Sequence, residues 1–360
     1  INGASAIERS LDFTFQALAQ TPNAGGPSFQ GFVGTPGGAA FTTGAPGELF
    51  QAGAVQVPAL GAFAGGLGDF RAEGSFVHDG TTVQSLGLDG TPAYSVLAQS
   101  GTGSARITTQ FGGSGIGIET TGNHAAAFQH AAAAQQAADI QTRISGQGFT
   151  ASTGGQDSMA VLLLSDGAQS SNIDWASLSQ NGSITTQGDR SHGILAIANS
   201  ASGTASSSVS LGGNGESMET VGAGSHGVVQ LTSAPASATS RLDVSGSGAA
   251  VRTTGDASGG ISQFSYLGQD SQASIHLSGE GSSVATGGAG SAAITGFVGA
   301  ITQASGSTVL GGNGASVTTT GADAPGIIGI ARGGGASRYD ITMAGDGTGI
   351  STQGDNSAGA

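Results

Sequence analysis

Apolar and polar residues alternate along this chain in short runs, with a period of two, and the runs return at a fixed interval. The run beginning Asn181-Gly-Ser-Ile-Thr-Thr-Gln-Gly recurs with its apolar anchor at Ile184, Met218, Val251, Val284, Val317 and Ile350, in steps of 34, 33, 33, 33 and 33 residues. Looser matches at Phe149, Ile118, Val83 and Phe41 carry the series upstream. A second column, Ile144, Leu178, Leu211, Val244, Leu277, Leu310 and Met343, keeps the same step. Between the two lies a third, made of Ile194-Leu195, Val228-Val229, Ile261, Ile294 and Ile327-Ile328. Runs of three to six residues with alternating polarity read as strands. Each repeat therefore predicts three short strands.

The corners between the strands are marked by glycine. Three residues after each member of the second column stands Gln147, Asn181, Asn214, Ser247, Glu280, Asn313 or Asp346, and the next residue is always glycine, from Gly148 and Gly182 through Gly347. A corner with positive φ is the physical reason to expect Gly there. Three strands and about 33 residues make one coil of an all-β parallel β-helix, a solenoid whose coils stack at about 4.8 Å. About ten coils would form a rod of roughly 50 Å.

The face of each strand follows from the same alternation. Two residues after each anchor come Thr186, Thr220, Thr253, Thr286, Thr319 and Thr352, on the anchor's side of the strand. The residues between, Thr185, Glu219, Arg252, Ala285, Thr318 and Ser351, are mixed in character and predicted to be exposed. The Thr column is expected to point inward and to stack through hydroxyl hydrogen bonds and methyl contact. An ice-binding face would need those Thr rows outside, so that reading loses.

Two segments depart from the repeat. Residues 1–40 carry no clear period; Leu11, Phe13 and Phe15 alternate like a strand, and the region is either an N-terminal cap or a degenerate coil, with the repeats proper running over 41–360. Residues 124–138, rich in alanine, have helix propensity, yet the interval from Ile118 to Phe149 leaves no length for an inserted helix. A coil lined by alanine is the favoured reading. The chain ends midway through a repeat, and further repeats or a second copy are expected to follow the open strand edge.

Composition supports stacking over a thick core. Glycine supplies 68 of 360 residues, charged residues 9% and aromatics 5%. Small side chains can stack closely only where neighbouring coils repeat. There is no cysteine, which excludes disulfides and thiolate metal sites. There is no lysine, which excludes a Walker A phosphate loop. A net charge of −14 opposes nucleic acid and anionic lipid.

The runs Ile184-Thr-Thr-Gln-Gly-Asp-Arg-Ser-His-Gly-Ile-Leu-Ala and Val317-Thr-Thr-Thr-Gly-Ala-Asp-Ala-Pro-Gly-Ile-Ile resemble the passenger repeats of Gram-negative autotransporters. Haemagglutinin-like exoproteins of two-partner secretion have similar repeats. The resemblance covers about residues 80–360. It implies a right-handed parallel β-helix, extracellular on the surface of a Gram-negative bacterium, exported through an outer-membrane translocator. It also implies adhesion, aggregation or biofilm, with a host or neighbouring cell surface as partner, or self-association through coil edges or faces. The alternative is a filament subunit stacking end to end. A polysaccharide-cleaving β-helix enzyme ranks below both.

Candidate chemistry is sparse, and no catalytic, metal or cofactor residue is assigned. The acids in the column Asp189, Ala223, Asp256, Gly288, Ala322, Asp355 skip coils, which suits solvated turns better than calcium. Leu211-Gly-Gly-Asn-Gly and Leu310-Gly-Gly-Asn-Gly are half of a calcium nonapeptide and lack its tandem nine-residue spacing. Ser191-His192-Gly193 and Ser225-His226-Gly227 sit one repeat apart; stacked imidazoles could bind metal or respond to pH, but exposed turn histidines are the expectation. Trp175, Tyr94, Tyr266 and Tyr339 are read as core or corner packing.

Overall fold

The structure is a computed structural model, describing residues 29–33, 37–42, 46–52 and 58–360. The expected strand around Leu11, Phe13 and Phe15 lies outside the described residues. All regular structure among the described residues is β, and every strand pairing is parallel between segments about 33 residues apart. A ten-stranded sheet of short strands runs from Leu49–Gln51 to Gly349–Thr352, giving a solenoid of about nine coils. The coil of residues 183–211 contributes the strands Ser183–Thr186, His192–Ser200 and Thr204–Leu211. Further on, the two longer strands fuse into the 17-residue strands Ile261–Leu277 and Ile294–Leu310, joining their ladders into one 18-stranded sheet.

The anchors stack as expected. Ile184, Met218, Val251, Val284, Val317 and Ile350 are successive register partners. So are Leu211, Val244, Leu277, Leu310 and Met343, and Ile194, Val228, Ile261, Ile294 and Ile327. Apart from Met343 in the last coil, which is 56% exposed, these residues form or pack against one apolar core running along the axis. The alanine-rich segment is the strand Ala126–Ala134, with no helix. Upstream, Phe29–Val33 pairs with Leu60–Gly66, and Gly37–Thr42 with Phe70–Phe76.

Three register assignments differ from expectation. Ile118 pairs with Ala151, not Phe149. Val83 pairs with Phe50, and Phe41 instead faces Gly74 in another ladder. Ile144 and Leu211 both pair with Ser177, leaving Leu178 52% exposed. At Ala151 and Ser177 the larger apolar residue nearby loses to a smaller one that keeps the corner geometry, whereas Phe50 is a phenylalanine like Phe41 and takes the place expected for it. Slipping a strand by one residue would turn its whole side-chain set to the other face.

Two stacked corners hold this register. At the first, Gly148, Gly215, Gly248, Gly281, Gly314 and Gly347 take φ values of +64° to +69°. Gly182 does not; Asn181 takes φ +53° in its place, in step with the displaced Ser177. From Gly148 to Gly314 each such residue donates its N–H to the coil that follows, as in Gly248 to the Glu280 carbonyl at 2.8 Å and Asn181 to the Asn214 carbonyl at 2.8 Å. The second corner uses the same geometry with mostly non-glycine residues: His124, Asp157, Arg190, Ala257, Asp323 and Asn356 all have φ between +51° and +57°. Beside it, a Cβ on Gly255 would overlap the carbonyl oxygen of Gly222, so contact between coils excludes side chains there.

The Thr column is inside: Thr186, Thr220, Thr253, Thr286 and Thr319 are buried, and Thr352 in the last coil is half-buried. Its hydroxyls do not bond to one another. Thr186, Thr286 and Thr319 donate to the carbonyls of Ser191, Ser291 and Ala324, five residues on, at 3.0, 2.9 and 2.6 Å. Where these hydroxyls bond, they tie the short strand to its following corner rather than coil to coil; the Thr253 hydroxyl has no partner.

Candidate functional surfaces

The polar residues that looked most like chemistry are occupied by the stacking itself. In the turn column the register follows Asp189, Ala223, Asp256 and Ala289, with Ala289 in the place expected for Gly288. Asp189 Oδ1 accepts the Ala223 N–H at 2.9 Å, and Asp256 Oδ1 accepts the Ala289 N–H at 2.9 Å. Asn214 and Asn313, from the two Gly-Gly-Asn-Gly runs, do the same for Ser247 and Asp346, both at 3.1 Å. Each side chain caps a backbone donor of the next coil, as an Asx turn caps its own. Among the described residues, no group of three or more His, Asp or Glu side chains could hold a metal ion.

His192 and His226 do stack, with ring centroids 5.4 Å apart, but they are half-buried rather than exposed. His192 Nδ1 accepts the N–H of His226 at 3.1 Å, and His226 Nδ1 accepts the N–H of Gly259 at 3.0 Å. With Nδ1 an acceptor in both, each ring is neutral and carries its proton on Nε2. Burial pushes the His192 imidazole down to about 4, with the His226 ring adding to it, and burial lowers His226 as well. The pair extends the capping ladder into the ring system and stays uncharged at neutral pH.

Two interior polar features had no sequence signal strong enough to stand out from the small-residue background. Ser158, Ser191, Ser225, Ser258 and Ser291 form a buried ladder. The Ser158 hydroxyl accepts the Ala125 N–H at 3.3 Å, each later hydroxyl accepts the N–H of the serine one coil earlier, as Ser225 does from Ser191 at 3.0 Å, and each donates to a carbonyl in the earlier coil, as in Ser225 to Gly188 at 3.0 Å. Serine at the same step of 33 or 34 residues was the available signal. The second feature is His130, fully buried, with Nδ1 3.0 Å from Thr142 Oγ1 and Nε2 3.1 Å from Thr109 Oγ1 and 3.3 Å from the Tyr94 hydroxyl. Desolvation pushes its pKa down to about 3 and raises that of Tyr94. This is a satisfied internal network, closed to ligands. Trp175 and Tyr94 are buried in the core, while Tyr266 and Tyr339 are half-buried.

The outward side chains of the longer ladder make the most distinctive surface. Phe63, Leu97, Ala131, Leu164, Ile197, Leu231, Phe264, Phe297 and Ile330 are successive register partners. They alternate with the core-facing residues and belong to the opposite face of the sheet. The first three are sealed from solvent in a small apolar cluster that reaches Leu164. The other six are half-buried. The Phe264 and Phe297 rings lie 6.4 Å apart. Strand segments such as Val161-Leu162-Leu163-Leu164 are apolar on both faces, the pattern of a parallel sheet with something on each side. No family model matches the chain, and no curated protein and no solved structure matches it.

Proposed function

We propose that this chain is a structural and adhesive solenoid, a right-handed β-helix of three strands per coil displayed on the surface of a Gram-negative cell, serving adhesion, aggregation or biofilm. The observation that carries the reading is the outward column that continues in register from Phe63 to Ile330. A contact made on one coil is offered again about 4.8 Å further along, so weak contacts add by multivalency instead of being concentrated in a cleft. The titratable groups that could do chemistry, Asp189, Asp256, His192 and His226, cap backbone donors of the next coil, which is a structural role. Right-handedness is supported by the strong preference of parallel strand crossovers for that hand. Export through an outer-membrane translocator and contact with a host or neighbouring cell rest on the resemblance of the repeats.

The test is localisation together with cell behaviour. Antibody raised against the folded chain should label intact cells of the native host, and deletion of the gene should slow cell settling or surface attachment. Label that appears only after the outer membrane is permeabilised, with unchanged settling and attachment in the deletion strain, would overturn the proposal.

A further inference from the structure

The outward apolar column is a self-complementary surface, and we propose that two copies of this chain dimerise through it, face to face and antiparallel. The uncovered part spans six coils, from Leu164 to Ile330. On one side it is flanked by Leu162, Leu195, Val229, Ser262, Thr295 and Ile328, and on the other by Asp166, Asn199, Ser233 and Tyr266 and, past a bulge after Ser265, by Gly299 and Arg332. The stripe and its flanks hold one acid and one base, Asp166 in the first coil and Arg332 in the last. In a chain of net charge −14, this is a face on which two copies can meet without repulsion.

The placement of the two charges selects the orientation. A two-fold axis along the strand direction, between the coils of Leu231 and Phe264, sets each column against itself with the coil order reversed. Leu231 then faces Phe264 of the second copy, Ile197 faces Phe297, and Leu164 faces Ile330. Asp166 faces Arg332 at both ends. Ser233 faces Tyr266, placing a small side chain against a large one. The alternative axis, along the solenoid, would set Asp166 against Leu162 and leave both charges desolvated and unpaired, at a cost. Arg332 is exposed and makes no ion pair among the described residues, whereas Asp166 accepts a hydrogen bond from Asn199 Nδ2 at 3.0 Å and keeps lone pairs to spare.

Area decides the strength. Six coils by three columns give roughly 500 Å² per copy from strand spacing and rise, and about 1,000 Å² in total lies at the lower edge of specific interfaces. A reversible dimer is therefore expected. The proposal does not depend on surface display, since it concerns the purified chain.

Sedimentation velocity over a concentration series tests it. The wild-type chain should show a monomer–dimer equilibrium. Arg332→Asp should weaken it at least tenfold, and Asp166→Arg combined with Arg332→Asp should recover most of the loss. The two positions are five coils apart within one chain, so only a contact between copies can produce that rescue. Leu231→Asp should leave monomer, with far-UV circular dichroism confirming the fold; Arg332→Asp, at an exposed site, serves as the second probe if Leu231→Asp misfolds. A wild-type chain that stays monomeric throughout, or a charge swap no better than Arg332→Asp alone, would refute the dimer.

Discussion

The Ser177 hydroxyl lies in the interior beside the carboxyl of Glu216, one coil further along. Glu216 is 2% exposed; its Oε2 accepts the Gly213 N–H at 3.1 Å and its Oε1 has no hydrogen-bond partner. Burial pushes the carboxyl up to about 7, and Ser177 and Gly213 counter only part of that. Because the folded pKa stands above the reference value of 4.5, the stability due to the neutral acid is complete below that value and drains away as pH rises toward 7. The loss amounts to roughly 3 kcal/mol. Glu216→Gln keeps the shape without the charge. It should raise the melting temperature at pH 8 and change it little at pH 4, as followed by circular dichroism. Equal shifts at both pH values would show that the buried charge is not what costs stability.

His130 works in the opposite direction. Its folded pKa of about 3 lies below the reference value of 6.5, so its contribution is present above pH 6.5 and lost as pH falls toward 3. The imidazole replaces an aliphatic residue: its register partners are Val96 and Leu163. His130→Leu should destabilise the fold at pH 7 by about 1–3 kcal/mol, because Thr109 and Thr142 lose their partner. The same variant should resist acid better, with an unfolding midpoint at lower pH than the wild type. A midpoint that moves to higher pH would contradict the assignment of acid sensitivity to this ring.

The second corner stores strain that can be relieved. Ala257 holds φ +52°, while Gly224 and Gly290 occupy the same corner in the coils on either side at +68° and +65°. The side chain of Ala257 is exposed and contributes little there. Ala257→Gly should therefore stabilise the chain by about 1 kcal/mol, the left-handed cost of a residue with a Cβ. Chemical denaturation would read the gain as a higher midpoint at unchanged slope. A lower midpoint would mean that the greater freedom of Gly in the unfolded chain outweighs the strain.

The 33-residue step, the three apolar columns and the inward Thr face were legible because each is a statement about many residues at once. Single positions were less so. Leu178 looks like a column member and is not, because the corner at Asn181 closes one residue early and puts Ser177 in register with Ile144 and Leu211. Ala151 outcompetes Phe149 for the same kind of reason. In a parallel stack the backbone ladder and the positive-φ corners set register, and the side chain present must fit; hydrophobicity at one site is the weaker constraint. The outward column from Phe63 to Ile330 was hidden because its members adjoin inward apolar residues, so each run read as core. The Ser158–Ser291 ladder was hidden by abundance, since serine is everywhere in this chain.

The ion pair at the same corner yields the last prediction. Arg190 binds Asp157 through two hydrogen bonds, Nε to Oδ1 at 2.5 Å and an amino nitrogen to Oδ2 at 2.7 Å, and His124 lies 3.6 Å from the same carboxylate. The hydrogen bonds from Arg190 hold the Asp157 carboxyl below its ordinary range. Arg190, however, is exposed and Asp157 only half-buried, and near solvent such pairs contribute little and salt weakens them further. All three residues also occupy the left-handed corner, at φ +55°, +52° and +53°. Replacing Arg190 therefore changes two things that two substitutions can separate. Arg190→Ala loses the pair and keeps the backbone strain, so it should melt at or slightly below the wild type. Arg190→Gly loses the pair and relieves the strain, so it should melt above Arg190→Ala and at or above the wild type. Melting curves of both variants at low and high salt provide the check, with the difference between wild type and Arg190→Ala shrinking as salt rises. If Arg190→Gly melted below Arg190→Ala, backbone strain at this corner would not be a cost the fold carries.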